Sequence, residues 1–319
     1  MNYCEPFFGS GAVLFNRPTS QDTETVNDKD GFVANFWRAV KSDPEAVAEA
    51  ADQPVNERDL EARHYWLVSE GREKLTRVLS DPDGFDAKIA GWWVHGQCTW
   101  IGSGWCSGEG PWRVVEGQWV SDRQLIHLRN PGQGVNRQLI HLGDPGQGVN
   151  RQLIHLGDPG KGTCQLHREH LLEYFRRISD RLRYVRVACG EWDRILTPSV
   201  TFRFGLTGIL LDPPYETGEV DYSVGGNKES GLVAAVRDWA VANGDNPLLR
   251  IALCGYEGEF EMPPSWECVP WKAAGGYSST AAEDTQGKEN RHRERVWFSE
   301  HCLKRNGSSQ SRQLILPGA

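Results

Sequence analysis

The 319-residue chain has a formal net charge of −8 and a sequence pI near 5.6. It has no run of about eighteen apolar residues and no charged-then-apolar leader, so it is expected to be a cytoplasmic protein rather than a membrane-inserted or secreted one. With 39% hydrophobic residues it can bury the core of one large domain or two modest ones, and its acidic balance repels phosphates unless a local basic face meets them.

The chain opens on a strand stub, Tyr3-Cys4-Glu5-Pro6-Phe7-Phe8, then a glycine turn, Gly9-Ser10-Gly11, then an apolar run, Ala12-Val13-Leu14-Phe15, suited to a helix start. Glycines at alternate positions let the backbone approach a ligand closely, where the N–H groups of a helix start point outward. The pattern is not the phosphate loop Gly-x-Gly-x-x-Gly and no Gly-Lys-Ser/Thr follows, so a nucleoside without phosphates suits it better. An ordinary turn between strand and helix is the bland alternative. A second short strand, Thr25-Val26-Asn27-Asp28, ends in a carboxylate spaced to grip ribose hydroxyls. S-adenosylmethionine is such a ligand, and its sulfonium favours the acidic and aromatic neighbours that Glu5, Phe7 and Phe8 are placed to supply.

Acidic side chains gather over residues 43–86, and beyond them Trp92, Trp93, Trp100 and Trp105 crowd among glycines. Such aromatics can wedge between bases, but core packing is their commoner use, so most of these rings are expected inside, with Trp105 the most exposed. His95, Cys98 and Cys106 lack ligand spacing and read as buried groups rather than a zinc site; the eight cysteines are dispersed, with no Cys-x-x-Cys pair. Arg123-Gln124-Leu125-Ile126-His127-Leu128 then recurs at 137–142 and 151–156 with a fourteen-residue period, each copy followed by a Pro-Gly-x-Gly turn. That period is too short for a helical solenoid, so the repeats read as a mobile insert able to meet phosphates or base edges, or as a tandem duplication tolerated in a surface loop.

Over residues 167–186, Leu171, Leu172, Phe175, Ile178 and Leu182 recur with helical spacing, which puts Arg168, Arg176, Arg177, Arg181, Arg183 and Arg186 largely off the buried face. They form either a phosphate-binding surface or a solvated one. A strand over 184–188 leads into Cys189-Gly190-Glu191-Trp192. The apolar run Ile209-Leu210-Leu211 then meets Asp212-Pro213-Pro214-Tyr215, so the tetrapeptide stands at the carboxyl end of a buried strand, where open α/β sheets hold ligands. An aromatic amine is a poor nucleophile because its lone pair is delocalised. Asp212 and the carbonyl of Pro213, held outward by a ring that fixes φ, can accept its two hydrogens, while Tyr215 offers a flat face for a base. Strands follow at 249–254, 266–271 and 294–298, the last two as an edge hairpin around a polar, glycine-rich segment carrying Lys288, Arg291, His292, Arg293 and Arg295.

Together these motifs resemble the DNA adenine-N6 methyltransferases of the Dam type, most closely their phage and actinobacterial branch. Glu5 to Gly11 is similar to the cofactor motif and Asp212-Pro213-Pro214-Tyr215 to the catalytic motif, in the same order across a long middle segment. Cys189-Gly190-Glu191-Trp192 resembles the Asp-Phe position beside the cofactor adenine, with Glu for Asp and Trp for Phe. Arg293-Glu294-Arg295-Val296-Trp297-Phe298-Ser299 resembles the late strand, and Asn27-Asp28-Lys29-Asp30-Gly31-Phe32 and Trp100-Ile101-Gly102-Ser103-Gly104-Trp105-Cys106 also have counterparts in that branch. Family members usually open with aromatic-x-Gly-Gly-Lys and a helix beside the methionine end of the cofactor. That segment is not found ahead of the first strand here, a departure that implies a truncated start, weakened cofactor affinity or lost activity.

The resemblance implies a Rossmann-like methyltransferase fold of the α/β class: a mostly parallel sheet, helices on both faces, an edge β-hairpin, and an inserted helical and loop-rich recognition region. Residues 1–42 would be the cofactor-binding part, 43–164 the target-recognition region with the repeats at 123–162, 165–303 the catalytic part and 304–319 a flexible tail. It implies S-adenosylmethionine held by Glu5, Pro6, Phe7, Gly9, Ser10, Gly11, Asp28, Glu191 and Trp192, and transfer to a flipped-out adenine by Asp212, Pro213, Pro214 and Tyr215 without a metal. Double-stranded DNA is the implied partner, with a cognate restriction endonuclease as a second. A methyltransferase of another amine, in RNA, cytosine or protein, and an inactive nucleic-acid-binding remnant are the competing readings.

Overall fold

The computed structural model describes residues 1–18, 22–81, 83–100, 105–106, 112–115, 118–121, 165–214, 231–271 and 293–303, with backbone alone at 112–115, 118–121 and 165–168. The strands are β1 (Asn2–Glu5), β2 (Thr23–Asp28), β3 (Trp112–Val115), β4 (Gln118–Ser121), β5 (Val185–Cys189), β6 (Thr207–Leu211), β7 (Leu249–Tyr256), β8 (Glu267–Pro270) and β9 (Glu294–Phe298). The helices are α1 (Ala12–Asn16), α2 (Gly31–Ser42), α3 (Pro44–Ala51), α4 (Glu57–Trp66), α5 (Arg72–Leu79), α6 (Ala87–Thr99), α7 (Gln165–Leu182) and α8 (Leu232–Asn243), with a π turn at Leu67–Gly71 joining α4 to α5.

Seven strands form one sheet in the order β5-β2-β1-β6-β7-β9-β8. β1 pairs in parallel with β2 and β6, β2 with β5, and β6 with β7, whereas β9 runs against both β7 and β8. β8 and β9 are thus the expected edge hairpin on a mostly parallel, Rossmann-like sheet. β3 and β4 form a separate antiparallel pair.

Alternation along the strands splits the core between the two faces. Tyr3 and Val26 point into a cluster with Leu14, Phe36, Trp37, Val47, Val94, Phe175 and Leu182, so α2, α3, α6 and α7 cover that face. Cys4, Ile209, Leu211, Ile251 and Leu253 point the other way, onto Val236 and Ala240 of α8 and onto Trp266 and Trp297. A third cluster joins Leu60, Leu67 and Leu75 to Phe32 and Ile89. Side-chain caps start these helices: Asp30 accepts from Phe32 N–H at 2.8 Å, Asp43 from Ala46 N–H at 3.0 Å and Asp86 from Ile89 N–H at 2.7 Å, each contributing about 1 kcal/mol.

α7 buries Leu171, Phe175, Ile178 and Leu182 as the spacing predicts, while Arg177 and Arg183 are exposed. Arg181 departs from that pattern: it turns inward to the buried Glu24 and the carbonyl of Leu14. Glu24 stands near the start of β2, so Arg181 sits at the sheet end opposite to Asp28.

Trp105 overturns the expectation that it is the exposed tryptophan, being only 6% accessible. Its Nε1 donates to the carbonyl of Trp93 at 2.9 Å, and its ring packs on His64 and Trp100 over Gly96. A Cβ on Gly96 would lie 1.9 Å from that ring, so the glycine is what lets the indole dock on α6. The adjoining Cys106 is held by its N–H to His64 Nδ1 at 3.3 Å and by Arg72, which donates to its carbonyl at 2.7 Å. The repeats at 123–162, Tyr215, the polar segment at 272–292 and the tail at 304–319 lie outside the described residues.

Candidate active site

The order of the strands reverses direction at β1: the chain proceeds through β2 to β5 on one side and through β6 to β7 on the other. The carboxyl end of such a switch point is a crevice, because the connections leave it on opposite faces. Glu5 ends β1 there and Asp212 follows the last residue of β6, with Cys4 paired to Ile209. Asp28 ends β2 beside them, and Gly190-Glu191-Trp192 follows β5, in which Cys189 pairs with Asp28. Residues far apart in sequence therefore meet along one sheet edge.

The glycine turn is shaped by its own backbone and by β2. Gly9 and Gly11 have φ of 45° and 69°, and the N–H of Gly11 donates to the carbonyl of Phe8 at 2.7 Å. A Cβ on Gly11 would lie 2.5 Å from the Phe15 ring and 2.7 Å from that of Phe8. We therefore expect Gly11→Ala to cost about 1–3 kcal/mol from left-handed strain and overpacking. Thermal denaturation checks this, and an unchanged melting temperature would remove the steric argument. Phe8 itself, expected beside the cofactor, is instead 3% exposed and packs in the core on Phe15 and Trp37, because its place after β1 turns it toward α2. Phe7 takes the other direction and stacks on Trp192, with centroids 6.1 Å apart and planes at 21°.

Asp28 anchors the loop: Gly9 N–H donates to its Oδ2 and Asp30 N–H to its Oδ1, both at 2.9 Å. Burial raises its pKa, and these backbone donors oppose the rise. Glu191 faces solvent in an ion pair with Lys29 at 3.0 Å. Ser10 is exposed on the turn, Pro213 is buried, and Asp212 is exposed at the strand end.

Glu5 is buried at 3% exposure and accepts from the Tyr3 hydroxyl at 2.9 Å. Burial pushes its carboxyl up to about 8; the Tyr3 hydroxyl opposes the rise and the Asp212 carboxylate adds to it. Asp30, raised mainly by burial to about 7, shifts in the same direction. A carboxyl whose folded pKa exceeds its unfolded value holds a proton in the folded state that the unfolded chain has lost. Stability is then fully present below about pH 4.5 and declines as pH rises to about 8. The unliganded protein should lose a few kcal/mol across that window, and Glu5→Gln should flatten much of the decline. Urea denaturation at stepped pH checks this, and identical slopes for the two proteins would contradict it.

The structure brings Glu5, Pro6, Phe7, Gly9, Ser10, Gly11, Asp28, Glu191, Trp192, Asp212, Pro213 and Pro214 to this edge, and Tyr215 lies outside the described residues. Sequence reasoning passed over three supporting residues. Tyr3 holds Glu5, Trp37 donates from Nε1 to the carbonyl of Gly9 at 3.0 Å, and Asn27 donates to the carbonyls of Pro6 and Gly190. Neither Asn27 nor Trp37 had a readable signal: Val26 is the only apolar residue of β2, so an asparagine there does not stand out.

Residues 1–82 match the family model of the D12 class N6 adenine-specific DNA methyltransferases. The match runs from β1 past α5 and so takes in the glycine turn, Asn27 and Asp28, while Asp212 lies beyond it. No curated protein matches the chain. Among the described residues, no helix is long and apolar enough to cross a membrane.

Proposed function

We propose, from the chain's similarity to the D12 class of adenine-specific DNA methyltransferases, that it transfers a methyl group from S-adenosylmethionine to the exocyclic amine of an adenine flipped out of a specific DNA sequence. The observation that carries this reading is the placement of Glu5 and Asp212 at the carboxyl ends of the paired strands β1 and β6, at the switch point of the sheet.

The residues present fit the cofactor. The carboxyl groups of Glu5, Asp28 and Asp212 disfavour phosphates at this end of the sheet, a bound cation would favour the ionised form of Glu5, and Phe7 with Trp192 adds an aromatic wall. Glu5, Pro6, Phe7, Gly9, Ser10, Gly11, Asp28, Glu191 and Trp192 would hold it. When bound, S-adenosylmethionine supplies an electrophilic methyl group on a sulfonium. Asp212 accepts one hydrogen of the amine and the Pro213 carbonyl the other, drawing the lone pair out of conjugation. Asp212 would take the proton that the amine nitrogen loses on accepting that methyl group. Positioning supplies most of the rate. Tyr215 would stack the base, and the repeats at 123–162 fall in the region assigned to target recognition.

Transfer of tritium from labelled cofactor to DNA tests the proposal directly. Label is expected on adenine-containing duplexes, and comparable labelling of adenine-free DNA, RNA or protein would redirect the reading to another amine. Modified-base sequencing of DNA from cells expressing the chain would identify the recognition sequence and any restriction partner's site.

A further inference from the structure

We infer that Asn27 is a positioning residue whose side-chain amide locks the loop after β1 to the loop after β5, setting the separation of the two walls between which a nucleoside cofactor is held. The inference rests on the reading above for its ligand, but the lock itself is a property of the chain.

Asn27 is 1% exposed, in the last turn of register of β2 before Asp28. Its Nδ2 donates to two carbonyls at once, Pro6 at 3.1 Å and Gly190 at 2.9 Å. Its backbone carbonyl accepts from Phe8 N–H at 2.9 Å, and the neighbouring Asp28 carbonyl accepts from Gly190 N–H at 3.1 Å. Asn27 and Asp28 thus tie both loops to β2 through main chain and side chain together. The amide's orientation is dictated by these bonds, since its oxygen cannot donate to either carbonyl. Among the described residues Oδ1 is left buried without a partner, a cost that most buried amides avoid. A side chain that serves only to fill the core would be apolar here. Two donors on one nitrogen, aimed at two separate loops, are what the position requires.

Two variants of the full chain test the inference. A carboxylate at this position cannot donate, whereas a protonated carboxyl can donate to one carbonyl. Calorimetric titration of S-adenosylmethionine should therefore find Asn27→Asp weaker than wild type by roughly ten- to hundredfold at pH 9, with the variant-to-wild-type ratio narrowing as pH falls to 6. Glu5, Asp28, Asp30 and Asp212 titrate in both proteins, and Asn27→Leu, which adds no charge beside them, separates loss of the lock from the effect of a new carboxylate. Asn27→Leu should stay weak throughout. Without ligand, amide exchange in Asn27→Leu should accelerate at Phe8, Gly9 and Gly190 while the amides of β6 and β7 keep their protection. If wild type does not bind the cofactor but this exchange pattern appears, the lock stands and the cofactor reading fails. A ratio near one at every pH in a wild type that binds, or unchanged exchange at both loops, would overturn the inference.

Discussion

Asp212→Ala should lower methyl transfer by roughly 10²–10⁴-fold or more while leaving S-adenosylmethionine binding within a few-fold of wild type. The residue stands exposed at the end of β6, so its loss removes an acceptor without opening the core beneath it, where Ile209 and Leu211 are fully packed. Cofactor binding should survive for a second reason. The Asp212 charge is one of the causes that raise the Glu5 carboxyl, so its removal favours the ionised Glu5 that would face a sulfonium. Asp212→Asn should retain more turnover than the alanine variant, because its amide oxygen still accepts one hydrogen. Tritium transfer paired with calorimetry measures the two effects separately. Turnover of the alanine variant within tenfold of wild type would sink the role assigned to this side chain.

The second large effect concerns stability and lies at the other end of the sheet. Glu24 is 4% exposed and binds both Arg17 and Arg181, whose side chains are 15% and 13% accessible. Arg181 also donates to the carbonyl of Leu14 at 3.2 Å, so this one carboxylate joins β2, α1 and α7. Glu24→Ala leaves the Arg181 guanidinium with little water and no carboxylate in place of Glu24, while Arg17 keeps Asp22 at 3.5 Å, and we expect the change to destabilise the protein by about 3 kcal/mol in urea denaturation. Replacing the pair together, as Glu24→Leu with Arg181→Met, should cost less than the single change, because only Arg17 then loses its partner and Asp22, 3.5 Å away, still faces it. A single-variant loss under about 1 kcal/mol would show that the arginines relax into solvent.

The match over residues 1–82 covers the half of the site that the opening motif predicts, and the rest of the site depends on the fold to bring Asp212 alongside it. Local pattern was enough for some of this. Two prolines behind an apolar run signal a strand end, and the alternate glycines signal the tight turn in which Gly9 and Gly11 take φ of 45° and 69°. Leu171, Phe175, Ile178 and Leu182 declare the buried face of α7 by their spacing, because a helix brings every third or fourth residue to one side.

Periodicity carries no information about which loop a side chain will meet. Trp105 looked exposed because glycines surround it in sequence, yet Gly96 of α6 supplies the slot into which it packs. Phe8 and Phe7 are adjacent and chemically alike, and only the turn after β1 decides that one enters the core and the other meets Trp192. Arg181 resembles its exposed neighbours until β2 presents Glu24 beneath it. The sequence by itself determined the two motifs, because these follow from backbone preferences local to a few residues, and the fold class followed from the family that those motifs resemble. Tertiary structure decided the raised proton affinity of Glu5, the bonds that Asn27 makes to two loops and the inward turn of Arg181, because burial and charge pairing depend on partners brought together from distant parts of the chain.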